Sequence, residues 1–222
     1  QLMKMLSPRL LHFDESFGIL RGDSVRHVLA ELYDGRTFAD CKVPLHVVAT
    51  DLQTGEAVVL REGSLIEAVR ASIAIPVLFQ PYCIDGRWLV DGALCSPLPI
   101  EHAIAAGAEV IITMGFSSQL YRHIDGPLRL VTQLMRISGN RLYRAELAYH
   151  ARDPRVEVVP IQLDCDAQLG LRDAHAIPGL IAAGEAAAAA RLRTINRTVA
   201  TFHSPGNRAK RQLRLSARRA LH

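Results

Sequence analysis

Apolar and polar positions change their spacing along the chain, and the changes mark out elements. Asp23 reads as an N-cap, and Val25, Val28, Leu29 and Leu32 follow at helical spacing, predicting a helix that stops near Asp34-Gly35. Pro44 leads into Leu45-His46-Val47-Val48-Ala49-Thr50, an apolar, β-branched run that predicts a buried strand. Thr54-Gly55 turns the chain, and Ala57-Val58-Val59-Leu60 returns as a second strand. Ser64-Leu65-Ile66-Glu67 matches a capping box, in which the Ser oxygen and the Glu carboxylate each satisfy an amide at a helix start. Leu65, Ala68 and Val69 give that helix its buried face, and Ile75-Pro76 closes it, since Pro disfavours α geometry in the residue before it. Pro99 starts another helix, with Ile100, Ala103, Ile104 and Gly107 on one side. Glu109 to Met114 is a continuous apolar strand. Pro127 opens a long helix whose apolar stripe runs Leu128, Val131, Met135, Leu142, with Arg129, Arg136, Arg141 and Arg144 elsewhere. Val156 to Leu163 is the last strand, and an Ala-rich helix runs from Pro178 to about Asn196. Strands alternating with helices predict a parallel or mixed sheet covered on both faces.

The stretch Asp85-Gly86-Arg87-Trp88-Leu89-Val90-Asp91-Gly92-Ala93 holds two Asp-Gly pairs. Each is a turn signal, because Gly takes φ > 0 without penalty and Asp tolerates it. Asp85-Gly86, with Cys83-Ile84 before it and Trp88-Leu89-Val90 after it, reads as the two-residue loop of a hairpin. Asp91-Gly92 ends the second strand, where a carboxylate can project from a rigid edge. Pro76 and Pro81 shape the loop leading to this hairpin.

Composition changes the picture little. A chain of 222 residues, 49% of them hydrophobic, allows one large α/β domain or two small ones. Aromatic residues make up only 5%, so Ala, Leu, Ile and Val must build the core. The net charge of +4 is uneven, because residues 207–222 carry six Lys and Arg and no acid. A basic tail on a neutral body argues against a nucleic-acid partner. Cys41, Cys83, Cys95 and Cys165 are widely spaced and read as reduced thiols, neither a zinc site nor a disulfide frame. No window reaches the ~18 apolar residues of a membrane span.

Candidate chemistry is sparse. None of the nine His residues lies in a His-Glu-x-x-His arrangement. His46, placed in a strand, and His102, on a helix, read as ordinary packed or surface residues, so no metal is expected. Neither Gly-x-x-x-x-Gly-Lys-Ser/Thr nor Gly-x-Gly-x-x-Gly occurs. Gly115-Phe116-Ser117-Ser118-Gln119 follows a strand and approaches a Gly-x-Ser-x-Gly elbow, but Gln119 replaces the second Gly. Ser117 is therefore expected to face solvent at a strand end, with an independent nucleophile as the weaker reading.

Several linked stretches together resemble the patatin-like phospholipases, the bacterial members above all. They are Thr50-Asp51-Leu52-Gln53-Thr54-Gly55, Ala68-Val69-Arg70-Ala71-Ser72-Ile73-Ala74-Ile75-Pro76, Ile84-Asp85-Gly86, Leu89-Val90-Asp91-Gly92-Ala93, Leu98-Pro99-Ile100 and Gly107-Ala108-Glu109-Val110-Ile111. The likeness runs from about Phe17 to the helix after Pro178. It implies an α/β, patatin-like three-layer fold with a mostly parallel sheet. It also implies a lipid acyl hydrolase of phospholipase A or lysophospholipase type, with a Ser-Asp dyad and no cofactor. A Ser in a Gly-x-Ser-x-Gly elbow attacks the ester, an Asp in Asp-Gly-Gly/Ala takes its proton, and a glycine-rich segment stabilises the oxyanion. By position Asp91, with Gly92 and Ala93, is that motif, Asp91 being the proton acceptor. Gly92 is expected to let the backbone turn tightly.

The departure from the family is equally plain. The glycine-rich segment and the elbow normally precede the matched region, and neither is present. With Gln1 as the first residue, the expectation is a C-terminal portion of the domain over residues 1–200, inactive alone, and a basic tail over 201–222. A naturally inactive lipid-binding or scaffold relative is the alternative. The expected partners are a phospholipid or lysophospholipid and, through Leu213, Leu215, Ala217 and Leu221 among the tail arginines, a membrane surface. The expected location is cytoplasmic or peripheral to a membrane.

Overall fold

The computed structural model describes residues 22–163, 176–207 and 209. Cys165 and most of the basic tail lie outside the described residues. The chain divides into two compact units, Gln1–Ser96 and Pro97–His222.

The first unit opens on α1, Gly22–Tyr33, which ends where Asp34 and Gly35 turn to φ 47° and 68°. Asp23 lies inside this helix instead of capping it, and of the expected stripe Leu29 is buried while Leu32 is 70% exposed. Four strands follow: β1, Val47–Asp51; β2, Ala57–Leu60; β3, Tyr82–Ile84; and β4, Arg87–Asp91. They form an antiparallel sheet in the order β2-β1-β4-β3. His46, expected in a strand, precedes β1 and is exposed. Residue 51 builds the β1–β2 turn: its Oδ1 accepts from the N–H groups of Gln53 and Thr54 at 2.9 and 3.2 Å. Between β2 and β3 lies α2, Leu65–Ser72. Ser64 caps it as expected, its hydroxyl oxygen accepting from the Glu67 N–H at 3.5 Å. Val69 is only half-buried, and Leu65, Ala68, Arg70 and Ala71 form the inner side. The helix packs on β1 and β4, where Ala49, Ala71 and Leu89 are shielded from water. Small residues at 49 and 71 let helix and sheet approach closely around Leu89.

The second unit holds α3, Ile100–Ala105; β5, Val110–Phe116; α4, Pro127–His150; β6, Glu157–Leu163; and α5, Ile177–Phe202. Strands β5 and β6 pair in parallel, from Val110 with Glu157 to Phe116 with Leu163. Leu98, Ile100, Ile111, Tyr143 and Val156 form its core. The α/β class is as expected. The long helix α4 joins the parallel pair β5–β6, and tight turns join the antiparallel pairs β1–β2 and β3–β4; β1 and β4 also pair antiparallel, across the longer connection that holds α2.

Helix α4 reverses an expectation. Pro127 does occupy its first turn, but its buried residues are Gln133, Tyr143 and His150. Leu128 and Val131, named as the inner stripe, are exposed, and Met135 and Leu142 only half-buried. Apolar periodicity identified the helix and misassigned its buried side.

Gly115 is where β5 meets α4. A Cβ there would enter the Tyr143 ring. Gly115→Ala should therefore cost about 1–3 kcal/mol by overpacking. Urea denaturation measures it, and in a Tyr143→Leu background the cost should shrink. An equal cost in both backgrounds would place the strain elsewhere.

Candidate active site

Asp85 and Gly86 adopt φ 50° and 77°, the two left-handed residues that a tight hairpin turn requires. This turn returns the chain as β4, which lies between β1 and β3. Asp91 is therefore the last residue of an inner strand, not of a sheet edge, and pairs with Ala49. Its N–H donates to the Ala74 carbonyl at 3.0 Å. Its carbonyl accepts from the Thr50 hydroxyl at 2.7 Å. Thr50 Oγ1 also lies 3.1 Å from Cys95 Sγ. The backbone of residue 91 is thus held by β1 on one side and by the end of α2's connection on the other.

Gly92 meets a different requirement from the one expected. Its φ is not in the left-handed region, as those of Gly55 and Gly86 are. It is buried, and a Cβ on it would run into the Val48 carbonyl of β1. Close approach between backbones, rather than turn conformation, excludes every side chain here.

The carboxylate projects at the start of a single turn of 3₁₀ helix, Gly92–Leu94. Oδ1 accepts from the Ala93 N–H at 2.8 Å. Among the described residues Oδ2 accepts no hydrogen bond and no cation pairs with the group. Burial pushes the Asp91 pKa above the ordinary carboxylate value, and the Ala93 N–H, which favours the charged form, only partly opposes this. One oxygen is oriented, the other is open to accept a proton, and burial makes the proton easier to keep.

The remaining candidates lie apart from this arrangement. Ser117 belongs to the second unit and lines a cleft of about 330 Å³ with Tyr143, Arg144 and Gln162. Among the described residues no Asp, Glu or His lines that cleft, so no carboxylate or imidazole among them takes the serine proton there. His102 is half-buried on α3. Among the described residues no three His, Cys, Asp or Glu side chains gather closely enough to hold a metal. Cys41, Cys83 and Cys95 are free thiols.

Three supports were invisible in the sequence. Thr50 and Ala74 hold Asp91 through bonds that depend on sheet register and loop path. Arg70 is 3% exposed; its Nη2 donates to the Gln80 carbonyl at 3.3 Å, and its guanidinium faces Phe79 and Tyr82 at 5.5 and 5.6 Å. It braces the connection that carries Ala74 into place. Burial lowers its pKa, and among the described residues Nη1 has no partner. Its place on the helix side shared with Ala71 was a weak sign of burial at best.

A raised pKa in the folded state makes ionised Asp91 a cost to stability. The folded protein binds the proton more tightly than the unfolded chain, so stability falls as pH rises through the window between the ordinary and the raised value. Asp91→Asn should therefore raise the melting temperature at pH 7, with the gain shrinking as pH falls through that window and gone below the ordinary carboxylate value. Equal melting temperatures at pH 7 would contradict the burial effect. Gly92→Ala should instead destabilise at every pH, by about 1–3 kcal/mol or more, because a backbone carbonyl cannot move aside as a side chain can.

Comparison with known proteins bears on the same region. The sequence model of the family described as patatin-like phospholipase matches residues 1–104, which include Asp91, Gly92 and Ala93. An uncharacterized NTE family protein of Mycobacterium tuberculosis is 31% identical over 116 residues, 52% of this chain and 31% of the relative. Patatin-like phospholipase domain-containing protein 7 of Mus musculus is 29% identical over 100 residues, 44% of this chain and 7% of the relative. Protein 6 of the same name, also from Mus musculus, is 29% identical over 100 residues. The chain spans about a third or less of the length of these relatives. Residues 1–104, just under half of the chain, are thus similar to the patatin-like phospholipase family.

Proposed function

We propose that Asp91 is the general base of a Ser-Asp dyad that hydrolyses an acyl ester of a phospholipid or lysophospholipid. The observation that carries this reading is the carboxylate itself: fixed through its backbone, oriented by one N–H, open at Oδ2 and raised in pKa by burial. The match of residues 1–104 to the patatin-like phospholipase family model supports lipid hydrolysis in general. A serine hydroxyl is a weak nucleophile at neutral pH and needs a base within hydrogen-bond reach. In the proposed step Oδ2 takes the serine proton as Oγ bonds to the ester carbonyl carbon. The proton then passes to the leaving alcohol, and water releases the acyl group by the same exchange.

No Gly-x-Ser-x-Gly stretch occurs in these 222 residues. The proposal therefore assigns the nucleophile and the oxyanion donors to a segment outside them, and this chain alone is expected to be inactive. The domain is proposed to extend to residue 200, with a place at or near a lipid surface. Among the described residues no helix is long and apolar enough to cross a membrane.

Three measurements test the reading. In the complete polypeptide, Asp91→Asn should lower hydrolysis of a short-chain ester by at least ~100-fold, the lower range for loss of a general base. Activity of the wild type should fall on the acid side as Asp91 is protonated, at a pH above the ordinary carboxylate value. Near-normal turnover of the variant would reject the base. A fluorophosphonate should label the complete polypeptide at a serine other than Ser117.

A further inference from the structure

Ahead of Tyr143, which packs in the core, helix α4 meets its own unit through polar side chains. Gln133 brackets the backbone of Tyr121: its Oε1 accepts from the N–H at 2.8 Å and its Nε2 donates to the carbonyl at 3.3 Å. Asn140 does the same for Ser118, at 2.9 and 2.8 Å. Between them Arg136 donates to the Gln119 carbonyl at 2.6 Å and lies 4.1 Å from the centre of the Tyr121 ring. Two carboxamides and a guanidinium thus supply what a neighbouring strand would supply to residues 118–121. Positions 133, 136, 140 and 143 share one side of the helix.

The opposite side is turned outward, and it is apolar. Leu130, Val131, Leu134 and Ile137 are all exposed, Leu134 by 55%. Leu120 and Ile124, on the segment before the helix, are exposed as well. A contiguous apolar helix face in water marks an interaction site.

Charge identifies the occupant. Between Phe116 and His150 the chain carries Arg122, Arg129, Arg136, Arg141 and Arg144 and two acids: Asp125, which is paired with Arg129 at 3.1 Å, and Glu146, whose Oε2 accepts from the Leu98 N–H at 2.8 Å. Among the described residues no acid pairs with Arg122, Arg141 or Arg144, and all three are exposed. Arg141 falls on the apolar side, one turn beyond Ile137. A second copy of this helix would set arginine against arginine across the contact, and like charges disfavour that pairing. An acidic apolar boundary fits, and a bilayer containing anionic lipid is one.

We propose that this face of α4 docks on the surface of an anionic lipid bilayer. Leu130, Val131, Leu134 and Ile137 enter the boundary between headgroups and acyl chains, and Arg141, Arg144 and Arg122 meet lipid phosphates. The assignment stands on α4 alone and goes beyond the base role of Asp91.

Co-sedimentation of the complete polypeptide with vesicles tests it. The wild type should pellet with mixed phosphatidylcholine and phosphatidylglycerol vesicles, not with phosphatidylcholine alone, and added salt should weaken the binding. Leu134→Glu with Ile137→Glu should reduce the bound fraction by about tenfold or more, and Arg141→Glu with Arg144→Glu should do so with the apolar face intact. Circular dichroism checks that both keep their helix content. Unchanged binding in either variant would overturn the proposal. So would equal binding to both vesicle types, binding abolished by removing residues 207–222 alone, or a solution mass that halves in the Leu134→Glu, Ile137→Glu variant, the mark of a second copy. Asp91→Asn should bind vesicles as the wild type does, which separates failure of this surface from failure of the proposed chemistry.

Discussion

The contact on which the first unit depends is the approach of residue 92 to the Val48 carbonyl. It is tight enough to exclude a Cβ, so β4 and β1 are locked at the place where the carboxylate leaves the sheet. Everything near Asp91 follows from that closeness. Thr50 can reach the Asp91 carbonyl because the strands are in register at Ala49 and Asp91. The Asp91 N–H, pointing away from β1, is satisfied by Ala74. A polar backbone group left unpaired there would cost about 1–3 kcal/mol. The position of the carboxylate is therefore set by β1 and by the connection after α2 as much as by its own strand.

That connection carries an unusual load. Arg70 is buried with no acid beside it among the described residues, held by the Gln80 carbonyl and two aromatic faces. Val77, in the same connection, adopts φ 70°, a conformation that a β-branched side chain rarely enters. Strain at residue 77 and a desolvated cation at residue 70 persist because the surrounding packing of α2 on β1 and β4 compensates them. The two costs fall on the stretch that brings the Ala74 carbonyl to Asp91.

Much of this was legible in the sequence where local chemistry decides. Asp85-Gly86 specified its turn, Ser64 its cap, Pro127 its helix start, because each acts on atoms within a few residues. Local chemistry made Asp91 only a turn residue; the linked stretches that resemble the patatin-like phospholipases singled it out. Gly92 was found for an incorrect reason: the need arises across the sheet, from Val48, and no local rule contains it. Helix α4 failed for a related cause. Its periodicity was read as a buried apolar face, yet the unit it packs on offers backbone groups that need partners, and Gln133, Arg136 and Asn140 serve them. Periodicity shows which residues share a side; which side faces inward depends on what the neighbouring element presents.

The proposed Ser-Asp pair, without histidine, sets a demand that this geometry can meet. An aspartate in water holds a proton too weakly to draw one from a serine hydroxyl with useful driving force. Removing water from the carboxylate narrows the gap, and burial does this at Asp91. The hydrogen bond from Ala93 works against it by favouring the charged form, yet the same bond fixes the orientation of the group. One bond to Oδ1 with Oδ2 open is a balance between the two needs: a second donor would aim the carboxylate better and weaken it as a base. Burying an ionised group lowers stability, and only a rigid support can hold it there. The locked β1–β4 contact is that support, and this is why a position forbidding any side chain directly follows the acid.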